Sequence, residues 1–201
     1  MFTKKRLAIF ASGTGSNAAK LMDYFKDHSS IEIAFVLTNK PQAPVVDKTN
    51  VRGVTLITCT NQEVDQPNFM VNICQSNHID FIILAGFLRK IPTDLINQFE
   101  NRIINVHPSL LPKFGGAGMY GLNVHNAVKE AGETESGITI HYVTENFDEG
   151  QRIAQFYTSI SSSETPEQIQ HKIHQLEQIY FPIVIEQEIN KVILFPPLME
   201  D

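Results

Sequence analysis

Short apolar runs alternate with longer segments of mixed polarity along most of the 201-residue chain. The apolar runs have the length of buried strands, and the segments between them are long enough to form helices. This alternation is typical of a mostly parallel sheet that carries helices on both faces. The length suits one α/β unit with a substantial core, so we expect a single domain over residues 1–201.

The pattern predicts seven strands and five helices. The strands are predicted at residues 7–11, 31–38, 54–58, 81–85, 103–107, 138–143 and 153–160. The helices are predicted at residues 17–27, 67–76, 93–99, 123–131 and 166–189. The start of the last helix is the best marked, because Thr165 can cap it and Pro166 suits its first turn.

The fifth predicted strand ends in two polar side chains. The period-two alternation of a strand places Asn105 and His107 on one face and Val106 on the other. Pro108 lacks an amide hydrogen and ends the strand, so His107 lies at the carboxyl end, where open parallel sheets bind ligands. A lone histidine in a strand is more often a core residue. A functional interpretation therefore depends on the residues around it.

Charge, cysteine content and hydropathy limit the partners and the cellular compartment that we expect. The formal net charge of −6 and the pI near 5.6 give no chain-wide basic surface, so we expect no nucleic-acid partner. Cys59 and Cys74 form no C-x-x-C pair, which argues against a disulfide framework and favours a reducing cytoplasm. No secretory signal or membrane-spanning run is evident, so we expect a cytoplasmic protein.

A glycine-rich turn follows the first predicted strand and leads into a helix. Gly13 and Gly15 allow the backbone to approach an anion closely, and the positive end of the helix favours a phosphate there. The dinucleotide fingerprint is incomplete because Ala18 stands where a third glycine is required, and residues 38–40 lack the acidic residue that binds a ribose. NAD is therefore disfavoured. The alternative is a plain tight turn in which Ser16 caps the helix.

The string Asn-Val-His-Pro-Ser-Leu-Leu-Pro-Lys at residues 105–113, followed by Asp148, resembles the signature of the folate-dependent formyltransferases. Residues 11–17, 84–89 and 137–143 extend the resemblance over nearly the whole chain. It implies the Rossmann-like formyltransferase fold. The most similar members of that superfamily transfer a formyl group from 10-formyltetrahydrofolate to glycinamide ribonucleotide in purine biosynthesis, so both small molecules are the substrates implied.

The resemblance implies that Asn105, His107 and Asp148 are the catalytic residues. A protonated His107 and the Asn105 amide can donate hydrogen bonds to the oxyanion that develops on the formyl oxygen. Asp148 would favour the charged form of His107 and help to carry a proton from the amine to the leaving nitrogen. The transfer is direct and requires no covalent enzyme intermediate.

The resemblance also implies two binding regions. Gly15, Ser16 and Asn17 correspond to the residues that bind the phosphate of the ribonucleotide, and Glu177 to one near its ribose. A solvent-exposed helix face is the alternative for Glu177. The folate contacts implied are Leu88, Arg89, Lys90, Ile91 and Asn105.

Three features leave the pattern incomplete. The loop at residues 114–122 is longer than in many members and rich in glycine, which predicts mobility. An arginine of the family has no counterpart near residues 65–67, and the role of His125 stays open.

A zinc site is the alternative for the polar residues. It could in principle be formed by His107, His125, His141 and Asp148, but no metal-binding spacing occurs, so we expect no metal. His141 is interpreted as a packing residue of its strand.

Other functions are compatible with parts of this pattern. A formyltetrahydrofolate deformylase shares the Asn, His and Asp set, but usually carries an additional N-terminal regulatory domain. A methionyl-tRNA formyltransferase usually carries a further C-terminal domain. A non-catalytic folate- or nucleotide-binding module would not require all three catalytic residues. The sequence is compatible with a monomer or a homodimer.

Overall fold

The structure is a computed structural model that describes residues 4–194. Its strands are β1 (Lys5–Phe10), β2 (Ile31–Thr38), β3 (Thr55–Thr58), β4 (Phe81–Leu84), β5 (Ile103–His107), β6 (Glu135–Tyr142) and β7 (Arg152–Ser159). Its helices are α1 (Ser16–Phe25), α2 (Val45–Val51), α3 (Asn61–Val64), α4 (Phe69–Ser76), α5 (Thr93–Gln98), α6 (Leu122–Glu130) and α7 (Pro166–Leu194).

The seven strands form one sheet in the order β3-β2-β1-β4-β5-β6-β7. The first five strands are parallel, and β6 and β7 are antiparallel to their neighbours. The direction of the strand order reverses between β1 and β4, and open sheets of this kind bind ligands at such a switch point. The predicted α/β class with a mostly parallel sheet is confirmed.

Helices cover both faces of the sheet, which therefore separates two apolar cores. Along β1 the side chains alternate between them: Leu7 and Ile9 face one core, while Ala8 and Phe10 face the other. The first core is completed mainly by α1 and α7, and the second by α4 and α5. Because both faces are buried, the strands are apolar at consecutive positions, as the sequence pattern required.

The structure contains every predicted strand and helix, together with two short helices that the sequence did not predict. Helix α2 has seven residues, of which only Val45 and Thr49 are buried, so it shows no clear apolar period. Helix α3 is a single turn closed by a capping box between Thr60 and Glu63. The predicted cap of α7 is confirmed, since the Thr165 hydroxyl oxygen accepts a hydrogen bond from the Gln168 amide at 3.3 Å.

Gly15 connects β1 to α1 in a left-handed conformation with a φ of 70°. The helix begins after this glycine and has no side-chain cap, so the alternative in which Ser16 caps the helix is wrong. A Cβ atom at Gly15 would lie 2.5 Å from Cγ2 of Val45 and 2.8 Å from its Cα. The glycine is thus required by the close approach of α2 as well as by the backbone conformation.

We expect Gly15→Val to lower the free energy of unfolding by more than about 2 kcal/mol, because it combines an overpacked contact with an unfavourable backbone conformation. Denaturant unfolding followed by circular dichroism measures the loss. Gly13→Ala is the matched control, since a Cβ at Gly13 meets no atom within 4 Å. Equal stability of the two variants would contradict the proposed role of the α2 contact.

Candidate active site

A cleft of about 820 Å³ opens at the carboxyl ends of β1, β4 and β5, where it is closed in part by α6 and α7. This volume lies toward the upper end of the range of small-molecule sites and suits more than one ligand. Every site residue predicted from the sequence lines the cleft. They are Gly15, Ser16, Asn17, Leu88, Arg89, Lys90, Ile91, Asn105, His107, Asp148 and Glu177.

His107 and Asp148 meet at the centre of the cleft. Asp148 belongs to the turn between β6 and β7, where it adopts a left-handed conformation with a φ of 59°. Its Oδ2 lies 3.4 Å from Nδ1 of His107, and the two side chains are 11% and 4% exposed. The same oxygen accepts a hydrogen bond from the Gly116 amide at 2.9 Å. The carboxylate therefore connects β5, the β6–β7 turn and the glycine-rich loop.

Both ring nitrogens of His107 face hydrogen-bond acceptors. Nε2 donates to the carbonyl oxygen of Phe114 at 2.8 Å, while Nδ1 faces Asp148. Burial lowers the pKa of His107, and this effect outweighs the opposing effects of the Asp148 charge and the Phe114 carbonyl. The Asp148 charge thus acts in the direction expected from the sequence, while burial of the ring acts against it.

Asp148 remains charged despite its burial. Desolvation by itself raises the pKa of the Asp148 carboxyl, but His141, the charge of His107 and the Gly116 amide together hold that pKa below its ordinary value. An uncompensated charge at this depth would destabilise the fold. The surroundings of Asp148 thus supply the compensation that a buried, charged carboxylate requires.

His141 also belongs to the site, and its interpretation as a packing residue was wrong. It is 2% exposed, and its Nδ1 donates to the carbonyl oxygen of Tyr142 at 2.8 Å. Its Nε2 lies 3.1 Å from Nδ2 of Asn105 and 3.6 Å from Oδ1 of Asp148. The signal in the sequence was the pair Thr139 and His141, which the period-two alternation places on one face of the strand, opposite to Ile138 and Ile140. The position of His141 beside Asn105 depends on the pairing of β6 with β5.

The glycine-rich turn and the long helix α7 are connected through Asn17. The Asn17 amide donates to Oε2 of Glu177 at 2.9 Å, and its oxygen accepts from Gln178 at 2.5 Å. The Glu177 side chain is 13% exposed and also contacts His174, so its alternative assignment to a solvent-exposed helix face is wrong. Asn17 and Glu177 form one polar wall of the cleft.

The loop after β4 forms another wall and is held by Ser12. The Ser12 hydroxyl oxygen accepts a hydrogen bond from the Leu88 amide at 2.9 Å, and the Ser12 amide donates to the Gly86 carbonyl at 3.0 Å. Ile91 is buried, whereas Leu88 is 46% exposed. This wall therefore combines apolar side chains with backbone groups, which is typical of sites for flat heteroaromatic ligands.

The segment at residues 65–67 contributes an acidic partner for Arg89. Asp65 pairs with Arg89, whose Nη2 lies 2.6 Å and 2.5 Å from the two carboxylate oxygens. The Nε of Arg89 is buried and has no hydrogen-bond partner within residues 4–194. Arg89, which lines the cleft, is thus held by Asp65.

The features that the sequence left open also line the cleft. His125 on α6 is buried, its enclosed Nδ1 has no partner among the described residues, and burial lowers its pKa. Residues 116–121 of the glycine-rich loop form the outer rim.

Among residues 4–194, no group of three or more His, Cys, Asp or Glu residues is arranged to hold a metal ion. None of the helices in that range is long and apolar enough to cross a membrane.

The family profile of formyl transferases matches residues 5–185 of the chain. The chain belongs to this family. Phosphoribosylglycinamide formyltransferase of Bacillus subtilis is 33% identical over 188 residues, which are 91% of this chain and 94% of the relative. The chloroplastic phosphoribosylglycinamide formyltransferase of Arabidopsis thaliana is 35% identical over 90% of this chain, which spans 64% of that longer protein.

Solved structures agree with this assignment. The phosphoribosylglycinamide formyltransferase of Bacillus halodurans matches with a TM-score of 0.83 and 33% identity, covering 94% of this chain and 97% of that one. The glycinamide ribonucleotide transformylase 1 of Geobacillus kaustophilus matches with a TM-score of 0.83 and 32% identity, covering 92% and 98%.

We expect Asp148→Asn to lower the pKa of His107 further, because the variant keeps the shape of the side chain and removes the charge that favours the imidazolium. Titration of His107 by NMR measures the shift. Glu149→Gln is the matched control, since it removes an exposed carboxylate from the adjacent position. An unchanged His107 pKa in Asp148→Asn would contradict the electrostatic coupling described here.

Proposed function

We propose that the protein transfers a formyl group from 10-formyltetrahydrofolate to the amine of glycinamide ribonucleotide. The observation that carries the proposal is the convergence of Asn105, His107 and Asp148 between a glycine-rich turn and an apolar loop in one cleft. Family membership supports the formyl transfer, and the names of the relatives support this acceptor. The step belongs to purine biosynthesis.

The first chemical requirement is stabilisation of the oxyanion. Attack of the amine on the formyl carbon opens the C=O double bond and places negative charge on the oxygen, which becomes a strong hydrogen-bond acceptor. Asn105 supplies an amide N–H and His107 an imidazole N–H from the same strand. The Phe114 carbonyl oxygen now accepts from Nε2 of His107, so the formyl oxygen takes the place of that carbonyl in the reaction.

The second requirement is proton transfer. The attacking amine loses a proton as the carbon–nitrogen bond forms, and N10 of the folate gains one as its bond to the formyl carbon breaks. The Asp148 carboxylate has a lowered pKa and serves better as an electrostatic partner and relay than as a strong base. His107 can hold the proton in transit, since the negative charge on the formyl oxygen raises its proton affinity.

The two substrates are assigned to opposite walls of the cleft. Gly15, Ser16 and Asn17 offer backbone and side-chain donors to the phosphate at the start of α1, and Glu177 accepts from a ribose hydroxyl. Residues 88–91 and Asn105 contact the folate. Held in this way, the amine and the formyl carbon meet beside His107, and their orientation contributes much of the rate.

The test is an assay of the purified protein with 10-formyltetrahydrofolate, with and without glycinamide ribonucleotide. We expect consumption of the folate only when the ribonucleotide is present, at a rate that dialysis against a chelator leaves unchanged. Asp148→Asn should lower turnover on the order of a hundredfold, as is typical of lost general acid–base help.

Other outcomes of the assay identify the rival functions. Folate consumption without the ribonucleotide would indicate a deformylase. Binding of both compounds without turnover would indicate a non-catalytic module. Loss of turnover after chelation that zinc restores would indicate a metal-dependent hydrolase.

We expect Asn17→Ala to weaken ribonucleotide binding by about tenfold or more while folate affinity is unchanged, because it removes a phosphate contact and the partner of Glu177. Calorimetric titration with each substrate measures both affinities. Asn126→Ala, an exposed position on α6 outside the cleft, is the matched control. If folate affinity fell instead, the two binding regions would be assigned the wrong way round.

A further inference from the structure

The Asn105 amide is oriented by one neighbour. Asn105 on β5 lies directly opposite His141 on the antiparallel strand β6, so their side chains share one face of the sheet. Nδ2 of Asn105 lies 3.1 Å from Nε2 of His141. Among the described residues, this is the only hydrogen bond that the Asn105 side chain makes.

The hydrogen on the His141 ring determines which side of the amide can face it. Nδ1 of His141 lies 2.8 Å from the Tyr142 carbonyl oxygen, which can only accept, so Nδ1 carries the hydrogen. In the neutral ring, Nε2 is then an acceptor. Only the NH₂ group of Asn105 can donate to it, which leaves the second N–H of that group free to bind another acceptor.

We propose that His141 is a positioning residue that acts through Asn105: it holds the amide so that its free N–H, rather than its oxygen, meets the formyl oxygen. The inference rests on the proposed function. Without an acceptor at position 141, the amide can turn over at little cost, and its oxygen would then repel the developing oxyanion. His141 itself need not touch either substrate.

Asp148 offers the competing arrangement. Its Oδ1 lies 3.6 Å from Nε2 of His141, which is longer than a hydrogen bond but close enough for a charge interaction. If both nitrogens of His141 carried hydrogens, Nε2 would donate toward Asp148 and the Asn105 amide would have to present its oxygen to the ring. The two arrangements therefore predict opposite orientations of Asn105 and different protonation of His141.

Kinetics of His141→Leu and His141→Gln test the proposal. Leucine cannot accept a hydrogen bond, whereas the glutamine oxygen can reach the position of Nε2. We expect His141→Leu to lower kcat on the order of tenfold with little change in either KM, and His141→Gln to recover most of the loss. In an Asn105→Ala background, His141→Leu should lower kcat by less than about twofold, because the effects of substitutions at coupled residues are not additive.

Several kinetic outcomes would overturn the proposal: an equal cost of His141→Leu in both backgrounds, a glutamine variant as slow as the leucine variant, or a loss confined to KM. Tyr142→Phe is the matched control, because it removes a partly buried hydrogen bond to Glu188 from the neighbouring position of the same strand. It should lower stability and leave kcat unchanged. An inactive wild-type protein would refute the proposed function, whereas an active wild type with an equally active His141→Leu would refute only this inference.

NMR of the wild-type protein supplies a readout that does not depend on activity or on the folding of a variant. The nitrogen shifts of the His141 ring report which nitrogen carries hydrogen. We expect hydrogen on Nδ1 alone, together with a side-chain amide signal of Asn105 that is coupled to Nε2 of His141. Hydrogen on both nitrogens at the assay pH, or on Nε2 alone, would overturn the proposal.

Discussion

The buried charge of Asp148 is the constraint on which the site depends. A carboxylate that is 11% exposed can stay ionised only if polar groups replace the water it has lost. Two segments supply those groups: the Gly116 amide from the loop after β5 donates to Oδ2, and Nδ1 of His107 from β5 lies 3.4 Å from the same oxygen. Each contact fixes the position of its segment. Compensation of one charge therefore also assembles the candidate catalytic groups.

The path of the chain around Asp148 shows how tightly this arrangement is built. The β6–β7 turn folds back against β6, and a Cβ at Gly150 would lie 1.7 Å from the Tyr142 carbonyl oxygen. Asp148 itself adopts a left-handed conformation, which aspartate tolerates better than most residues. These backbone requirements hold the carboxylate over the face of β5 that carries Asn105 and His107. A looser turn would leave the charge free to move toward solvent.

The sequence predicted what depends on local pattern and left out what depends on pairing between distant segments. Period-two alternation and Pro108 were sufficient to place Asn105 and His107 together at a strand end, and the resemblance added Asp148. The role of His141 depends on the partner and register of β6, which alternation within one strand cannot reveal. The same limit applies to the pairing of Asp65 with Arg89, since these residues come from separate loops.

The glycine-rich loop and the proposed substrate compete for one N–H group. The Phe114 carbonyl accepts from Nε2 of His107, and this contact raises the pKa of the ring against the larger, lowering effect of burial. A neutral carbonyl is a weaker acceptor than an oxyanion, so the exchange becomes more favourable as negative charge develops on the formyl oxygen. The same charge raises the pKa of His107 when its proton is needed. The Phe114 carbonyl thus satisfies the buried N–H of His107 before the reaction, but binds it less strongly than the oxyanion of the transition state would.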